Sequence, residues 1–514
     1  MNIPHIKYNL PSRWLWTTVG EIGVIASGGT PSTQNAEYWG DDIAWITPAD
    51  LSNYRKKYIA KGARNITQAG LDYSAAKLLP KGSILFSSRA PIGYVAIAKN
   101  DLATNQGFKN LIPTKSLYSD YVYYYFKTIK PLAEGMASGT TFLELSAAKF
   151  SQIPFPLPPL NEQRRIVSKI EELFSELDYA EECLKKAQKQ LEIYSQALYK
   201  SSFEHRENWN IYKVQYLFEL VDGDRGKNYP KQSDYLDDGY CLFLSTKNVR
   251  LNYFLFEEKV FISKKKHEAL RNGTLQRGNI VMTTRGTLGN VALYDETVPY
   301  PIVRINSGMV IMKSKNANNN LKYLSNYLIS PFFKEQIKQK QTGTAQPQLP
   351  LNILKDFEIA IPFKKEQDKI ILELETKISL IKNLSNTIDI GLKKNEVLRS
   401  AILRKAFNGE LVPQNLADED ARKLLQKILK EKEDYLNVQK EVQKKKPKGR
   451  LIMKNSKSII EILKEANLPI EAEKLWLQSK HVNDIDAFYT ELKKIEKKID
   501  IKINRNKSLI GLKK

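Results

Sequence analysis

Apolar residues recur along two stretches of the chain at helical spacing. The first runs Ile166, Ile170, Leu173, Leu177, Ala180, Leu184, Ala187, Leu191, Tyr194 and Leu198, with steps that alternate between four and three. Such an a/d seam predicts a long coiled-coil helix, roughly 50–60 Å in length at 1.5 Å per residue. The second follows Pro362 with Ile370, Leu374, Ile378, Ile381, Leu384, Ile388, Leu392, Leu398 and Ile402, is less regular, and carries Gly391 and Asn395. Prolines from Pro154 to Pro159 mark a stiff boundary before the first helix. Two seams of this kind are expected to pack on each other, and in a head-to-tail repeat they run antiparallel with the flanking modules at opposite ends. The alternative is that each helix docks on its own module alone.

The segments around the helices read differently. Ser83 to Phe86, Tyr94 to Ala98, Asn279 to Met282 and Val291 to Tyr294 are β-branched, aromatic-rich strand candidates. Turn signals punctuate them: Gly28-Gly-Thr-Pro31, Pro91-Ile-Gly93 and Asp222-Gly-Asp224. Short helices are expected over Asp120 to Ile129 and Leu321 to Leu328. Each module is thus an α+β unit of roughly 150 residues.

The two modules are copies. Trp14, Val19, Ile22 and Gly28 recur as Trp209, Val214, Leu217 and Gly223, 195 residues on. Gly82, Arg89, Gly93, Val95 and Ala96 recur as Gly278, Arg285, Gly289, Val291 and Ala292, at 196. Ser138-Gly-Thr140, Glu162-Gln163, Ala197 and Phe203 match Thr342-Gly-Thr344, Glu366-Gln367, Ala401 and Phe407, at 204. An ordered series with a slowly growing offset is a duplicated domain whose loops have gained residues. The expected division is 1–160 (first recognition module), 161–205 (first spacer helix), 206–362 (second module), 363–412 (second spacer helix) and 413–514 (a basic, mostly helical extension). The fold class is α+β: two tandem globular modules, separated by long helices packing as an antiparallel coiled coil, plus a helical tail.

Composition adds a partner. The net charge of +23 suits a polyanion such as nucleic acid, although lysine-rich composition alone accounts for it equally well. Two cysteines, Cys183 and Cys241, allow no disulfide framework and fit a reducing cytoplasm. No apolar signal segment lies between Met1 and Trp14, and no run long enough to span a membrane is present. In the paired loops, arginine suits guanine edges and phosphates, Asn and Gln suit adenine, and small hydroxyls suit phosphates. The DNA-contact candidates are Thr30, Ser32, Thr47, Ser88, Arg89, Asn105, Gln106 and Thr140 in the first module. In the second they are Arg225, Lys227, Lys247, Thr284, Arg285, Asn306, Thr344 and Gln346. Ordinary solvated turns explain any one of these as well, and Arg89 and Arg285 could instead pair with a carboxylate inside the module. The helix–helix interface candidates are Ile166, Ile170, Leu173, Leu177, Leu184, Leu191, Ile370, Leu374, Ile381, Ile388 and Leu398.

Together these features resemble the specificity (S) subunits of Type I restriction–modification systems. The resemblance rests on Ser27-Gly-Gly-Thr-Pro-Ser32 leading to Glu37-Tyr-Trp-Gly40, and on Ile43 to Leu51. It rests also on Ser88-Arg-x-x-x-Gly93, the Pro-Leu-Pro-Pro-Leu-Asn-Glu-Gln run ending at Gln163, and Phe407-Asn-Gly-Glu-Leu-Val412. The lead-in to the second helix, Phe363-Lys-Lys-Glu-Gln367, is weaker, and about a hundred residues of tail fall outside the match. That tail holds 25 Lys and Arg against 16 Asp and Glu. Helices are expected from Asp418 to Lys440 and within Ser456 to Lys498, on either side of a basic linker.

The resemblance implies a non-catalytic subunit in which each module reads one half of an asymmetric, bipartite double-stranded DNA target. The helices then fix the spacing and bind two DNA methyltransferase subunits, and helicase-nuclease restriction subunits complete the assembly. S-adenosylmethionine, ATP and Mg are implied on those partners, and no cofactor or metal on this chain. The rival class is a self-sufficient restriction nuclease or methyltransferase with divergent motifs. Against it, the chain has no GxxxxGK[ST] loop, no methyltransferase [ND]PP[YF] segment, and only four scattered histidines, His5, His205, His267 and His481. Glu257-Glu-Lys259 could be half of a nuclease motif but lacks an acidic partner on a preceding strand.

Overall fold

The computed structural model describes residues 10–89, 91–139, 143–343, 347–445, 457–466, 468–481, 484–504 and 507–513. The chain divides into two compact units, residues 1–180 with 394–514, and residues 181–393. Both long helices are continuous, Leu160–Phe203 and Lys364–Asn408, so each contributes to both units.

The duplication is visible in the sheets. In the first module the strand order is Gly23–Ser27, Lys109–Pro113, Ile84–Phe86, Val95–Ala98 and Tyr58–Ile59. In the second it is Phe218–Asp222, Met309–Ser314, Asn279–Thr283 and Val291–Tyr294. Registers correspond: Ser27 pairs with Lys109 as Asp222 pairs with Val310. The expected short helices form at Ser119–Phe126 and Leu321–Leu328. Each covers one face of its sheet with aromatic rings. Phe86, Phe126 and Phe150 meet at centroid distances of 5.2 to 5.8 Å. In the second module Tyr323 meets Phe203 and Trp209 at 5.4 and 6.4 Å.

The repeated Glu-Gln pair starts each long helix. Gln163 is fully buried; its Oε1 accepts from the Tyr118 N–H at 3.1 Å and its Nε2 donates to the Pro158 carbonyl at 3.0 Å. Gln367 repeats both bonds, accepting from Asn320 N–H and donating to Pro362 O, each at 2.9 Å. One amide thus ties the helix start to the proline turn and to the start of the module's short helix. Glu366 accepts from Arg206 at 2.8 Å and from the Trp209 indole at 3.1 Å. Its equivalent Glu162 is buried, and burial pushes its carboxyl up, against the opposing effect of the Trp14 indole and Arg165.

The long helices pack on each other, antiparallel. In the first unit the Asn395 amide donates to the Leu177 carbonyl at 2.7 Å, and Arg399 pairs with Asp178 at 2.5 Å. In the second, Gly391 lies against Leu184 and the Gln188 amide reaches Asp389 at 3.5 Å. One index falls as the other rises. Ile166 and Ile170 are buried in the first module's core, while Ile370 and Leu374 are buried in the second's. Leu173, Leu177, Leu184, Leu191 and Ile381 are half-buried along the seam, and Ile388 is 8% exposed.

Three seam expectations need correction. Leu398 is 41% exposed and Leu384 is 53% exposed. Between residues 381 and 402 the seam runs instead through Ile381, Ser385, Ile388, Leu392, Asn395, Arg399 and Ile402, each buried or half-buried. Their steps of four and three are regular once polar residues are admitted. A search for apolar repeats passes over Asn395, whose buried amide is satisfied by a helix carbonyl. Tyr194 on the first helix is likewise exposed, and Ser195 takes its place.

The tail has two parts. A helix, Ala421–Lys445, packs Ala421, Leu424 and Ile428 into the first module's core. Glu431 there accepts from the Ser116 hydroxyl at 2.7 Å, and Asp418 pairs with Arg165 at 2.7 Å. Residues 457–513 form a small domain with its own core, including Ile459, Leu475, Trp476 and Phe488. The expected helices appear as Ile459–Ala466, Ala472–Gln478 and Ile485–Lys494. A three-stranded sheet, Ile470–Glu471, Lys507–Leu512 and Ile499–Asn504, is added to them.

Candidate nucleic-acid interface

Five loops converge in each module, and they are the same five. In the first, Gly28 approaches the 104–107 loop so closely that a Cβ would lie 1.8 Å from the Asn105 carbonyl oxygen. In the second, a Cβ on Gly223 would lie 2.1 Å from the Asn306 carbonyl oxygen. Only glycine permits that approach. Asn105 Oδ1 accepts from the Gly107 N–H at 2.9 Å, and Asn306 Oδ1 accepts from the Gly308 N–H at the same distance. The third loop lies over this turn: a Cβ on Gly107 would be 3.1 Å from Pro48, and one on Gly308 would be 2.9 Å from Thr246. The fourth carries the arginine and the fifth closes on it, through bridges Arg89↔Glu144 and Arg285↔Gln348.

With that framework shared, the side chains differ. Thr30 is exposed and its hydroxyl donates to Gln106 Oε1. Ser32 is exposed too, and its carbonyl accepts from the Trp39 indole at 3.1 Å. Trp45 holds the Gly29 carbonyl at 2.9 Å. Thr47 is half-buried and donates to Asp50 at 2.6 Å, which closes its own turn. In the second module Arg225 is exposed and pairs with Asp222 at 3.0 Å, Lys227 is exposed, and Lys247 pairs with Glu258 at 2.9 Å. Glu257 and Glu258 lie on an exposed bend, and Glu258 is the carboxylate that Lys247 meets.

Two expected DNA contacts face inward. Ser88 is fully buried and donates to the Gly107 carbonyl at 3.1 Å. Thr284 is 4% exposed, and its backbone holds both Gly308 and Leu349. Each follows a strand that is buried along its whole length, Ile84–Phe86 and Asn279–Thr283, and continues that buried path. Asn105 and Asn306 are half-buried, with their side-chain oxygens committed to the turn. Thr140, Thr344 and Gln346 lie outside the described residues.

The two equivalent arginines sit in opposite surroundings. Arg89 is 7% exposed and lies 3.9 Å from Glu144, which also takes Lys109 at 3.1 Å. Burial pushes the Glu144 carboxyl up and the Lys109 amine down, each held back by the other's charge. In the second module the equivalents of Glu144 and Lys109 are Gln348 and Val310. Arg285 is half-buried there, with no ion pair among the described residues. The expected alternative, a module arginine paired to an internal carboxylate, therefore describes Arg89 and not Arg285. The sequence reading missed Lys109, which sits in a strand without any motif. It missed Arg64 also, an exposed guanidinium 3.4 Å over the Trp39 ring beside the 27–33 loop.

Among the described residues no group of three or more His, Cys, Asp or Glu could hold a metal ion, and no helix is long and apolar enough to cross a membrane. Cys183 is exposed and Cys241 buried, both as free thiols.

Two modules with corresponding strands and loop turns but different loop chemistry, joined by the long helices, define a duplicated, two-module protein. Comparison with known proteins gives the class its family. The Type I restriction modification DNA specificity domain matches twice, at residues 11–189 and 206–394. The chain belongs to that family, whose members are specificity subunits of Type I systems and not their catalytic chains. It is 31% identical to the MjaIX specificity subunit of Methanocaldococcus jannaschii, over 79% of this chain and 95% of that protein. The EcoKI specificity subunit of Escherichia coli is 23% identical over 79% of this chain and 90% of its own length. The fold is shared with the HsdS subunit of Thermoanaerobacter tengcongensis, at a TM-score of 0.52 and 19% identity, covering 78% of this chain and 98% of that one. A chain solved in work on assembly and conformational transition of the type I R-M system aligns at a TM-score of 0.64 and 18% identity, covering 79% of this chain and all of that one. These matches leave about a fifth of the chain uncovered.

Proposed function

We propose that this DNA-specificity subunit reads an asymmetric, two-part site in double-stranded DNA, one half with residues 1–160 and the other with 206–362. The observation that carries this reading is the repeated five-loop framework. Gly28 and Gly223, and Asn105 and Asn306, hold the same turns, while the exposed groups around them differ. Equal frameworks position loops; unequal loops read unequal sequences. In this reading Thr30, Ser32 and Gln106 in the first module, and Arg225, Lys227, Lys247 and Arg285 in the second, are the side chains that meet DNA. The spacer helices, 161–205 and 363–412, set the separation of the half-sites and offer their outer faces to two methyltransferase subunits. Restriction subunits with helicase-nuclease activity complete the assembly. S-adenosylmethionine, ATP and Mg act on those partners, in the cytoplasm.

Exchange of residues 1–160 for the corresponding module of a relative tests the reading. Methylation by the reconstituted complex should then move at one half of the target only. A change in both halves, or methylation by this chain without any partner, defeats it.

A further inference from the structure

The C-terminal domain, which lies outside the family matches at residues 11–189 and 206–394, sits against the first module's loops. Trp476 places its ring 5.0 Å from the Arg89 guanidinium, and Glu473 lies 3.6 Å from the same group. Asp486 lies 3.5 Å from Lys149, on the short helix that follows the fifth loop. These are the contacts that a phosphate and a base make with such cations: negative oxygen against ammonium and guanidinium, and a flat ring against guanidinium. They are also incomplete. Arg89 Nη1 is buried without a hydrogen bond, and Glu473 and Asp486 remain 49% and 44% exposed. Ion pairs whose carboxylate stays about half in solvent are weak. The domain is joined to the docked helix Ala421–Lys445 through residues 446–456, so it stays near the loops when released.

We propose that residues 457–513 are a built-in competitor for DNA at the first module. Glu473, Trp476 and Asp486 occupy Arg89 and Lys149 in the free protein, and double-stranded DNA displaces them. Arg89 Nη1 then gains a hydrogen-bond acceptor that it lacks among the described residues. Among the described residues no carboxylate pairs with the second module's half-buried Arg285, so the second half-site is engaged first and the first half-site closes the complex. This rests on the DNA-reading function proposed above.

Zero-length carbodiimide cross-linking of the full-length chain, read by mass spectrometry, tests the docking. A Lys149–Asp486 cross-link is expected without DNA, and its loss is expected as a mixed-sequence duplex of roughly 40 base pairs is titrated in at low salt. In parallel, Glu473→Gln combined with Asp486→Asn should tighten duplex binding by about threefold to tenfold. Glu496→Gln, an exposed carboxylate elsewhere on the domain, controls for net charge and should change little. Absence of the cross-link in the free chain overturns the docking. A cross-link that persists on saturated DNA, or a double variant that binds like the wild type, overturns the competition. Failure of every form to bind duplex overturns the DNA-reading function itself, and the cross-link still reports the docking.

Discussion

Glu144→Gln removes the one carboxylate shared by two buried cations. The side chains of Arg89, Lys109 and Glu144 are 8%, 8% and 3% exposed. Breaking a buried ion pair from one side costs about 3–5 kcal/mol, because the remaining charge stays uncompensated. Lys109 sets a ceiling on that cost, since it can lose its proton instead. From its ordinary value of 10.5, neutralisation at pH 7 costs at most about 5 kcal/mol. Arg89 keeps Glu473 nearby, which argues for the lower part of the range. For a unit of this size about 3–4 kcal/mol lowers a melting temperature by roughly 6–16 °C. The second module supplies the matched rescue, because its equivalent positions are Gln348 and Val310. Lys109→Val added to Glu144→Gln should therefore recover more than half of the loss. Scanning calorimetry of the full chain, following the transition of the first module, measures both. A single variant melting within about 2 °C of the wild type, or a double variant less stable than the single, refutes the reasoning.

Three further outcomes are expected. Gly28→Ala and Gly223→Ala each force a Cβ into a backbone carbonyl, at 1.8 and 2.1 Å, so each should disable one module. Footprinting should then show protection lost over one half-site only. Arg285→Ala should weaken duplex binding by about 10-fold or more with little change in melting temperature, the mark of a contact and not of a core group; equal losses of both would make it structural. Asp224 accepts backbone N–H bonds from Gly226 at 2.7 Å and Arg271 at 2.8 Å, which hold its carboxyl below the usual carboxylate range. A group with a lowered folded-state value stabilises above its unfolded value, near pH 4, and loses that contribution as pH falls through the folded one. The Gly226 and Arg271 amides should become less protected from exchange below pH 4, relative to amides elsewhere in the module; equal protection would show that Asp224 does not hold the loop.

Much of this organisation is local and was legible in the chain. The duplicated glycines, the proline-bounded helices and the antiparallel pairing follow from spacing and order, because a seam of period 3.5 has one face to bury. Glu162-Gln163 and Glu366-Gln367 stood out as a repeat, but their task did not: each glutamine bonds the proline turn just before it and also a helix start more than forty residues away, and that second partner is not near in sequence. The fate of the arginines was hidden for the same reason. Arg89 and Arg285 occupy one motif, and what separates them is Glu144 with Lys109 against Gln348 with Val310, brought in from other strands and loops.

The sequence by itself determined two copies of an α+β module, the long helices between them, and the absence of recognisable catalytic motifs, since repeat order and periodicity are properties of the chain. Only the tertiary structure decided which loop residues face outward and which seam positions are polar. Ser88 and Thr284 turned inward, and Asn395 took the place of Leu398, because burial depends on what the fold sets opposite each side chain. The tertiary structure also put the C-terminal domain against Arg89, a contact between residues nearly four hundred positions apart that no local pattern encodes.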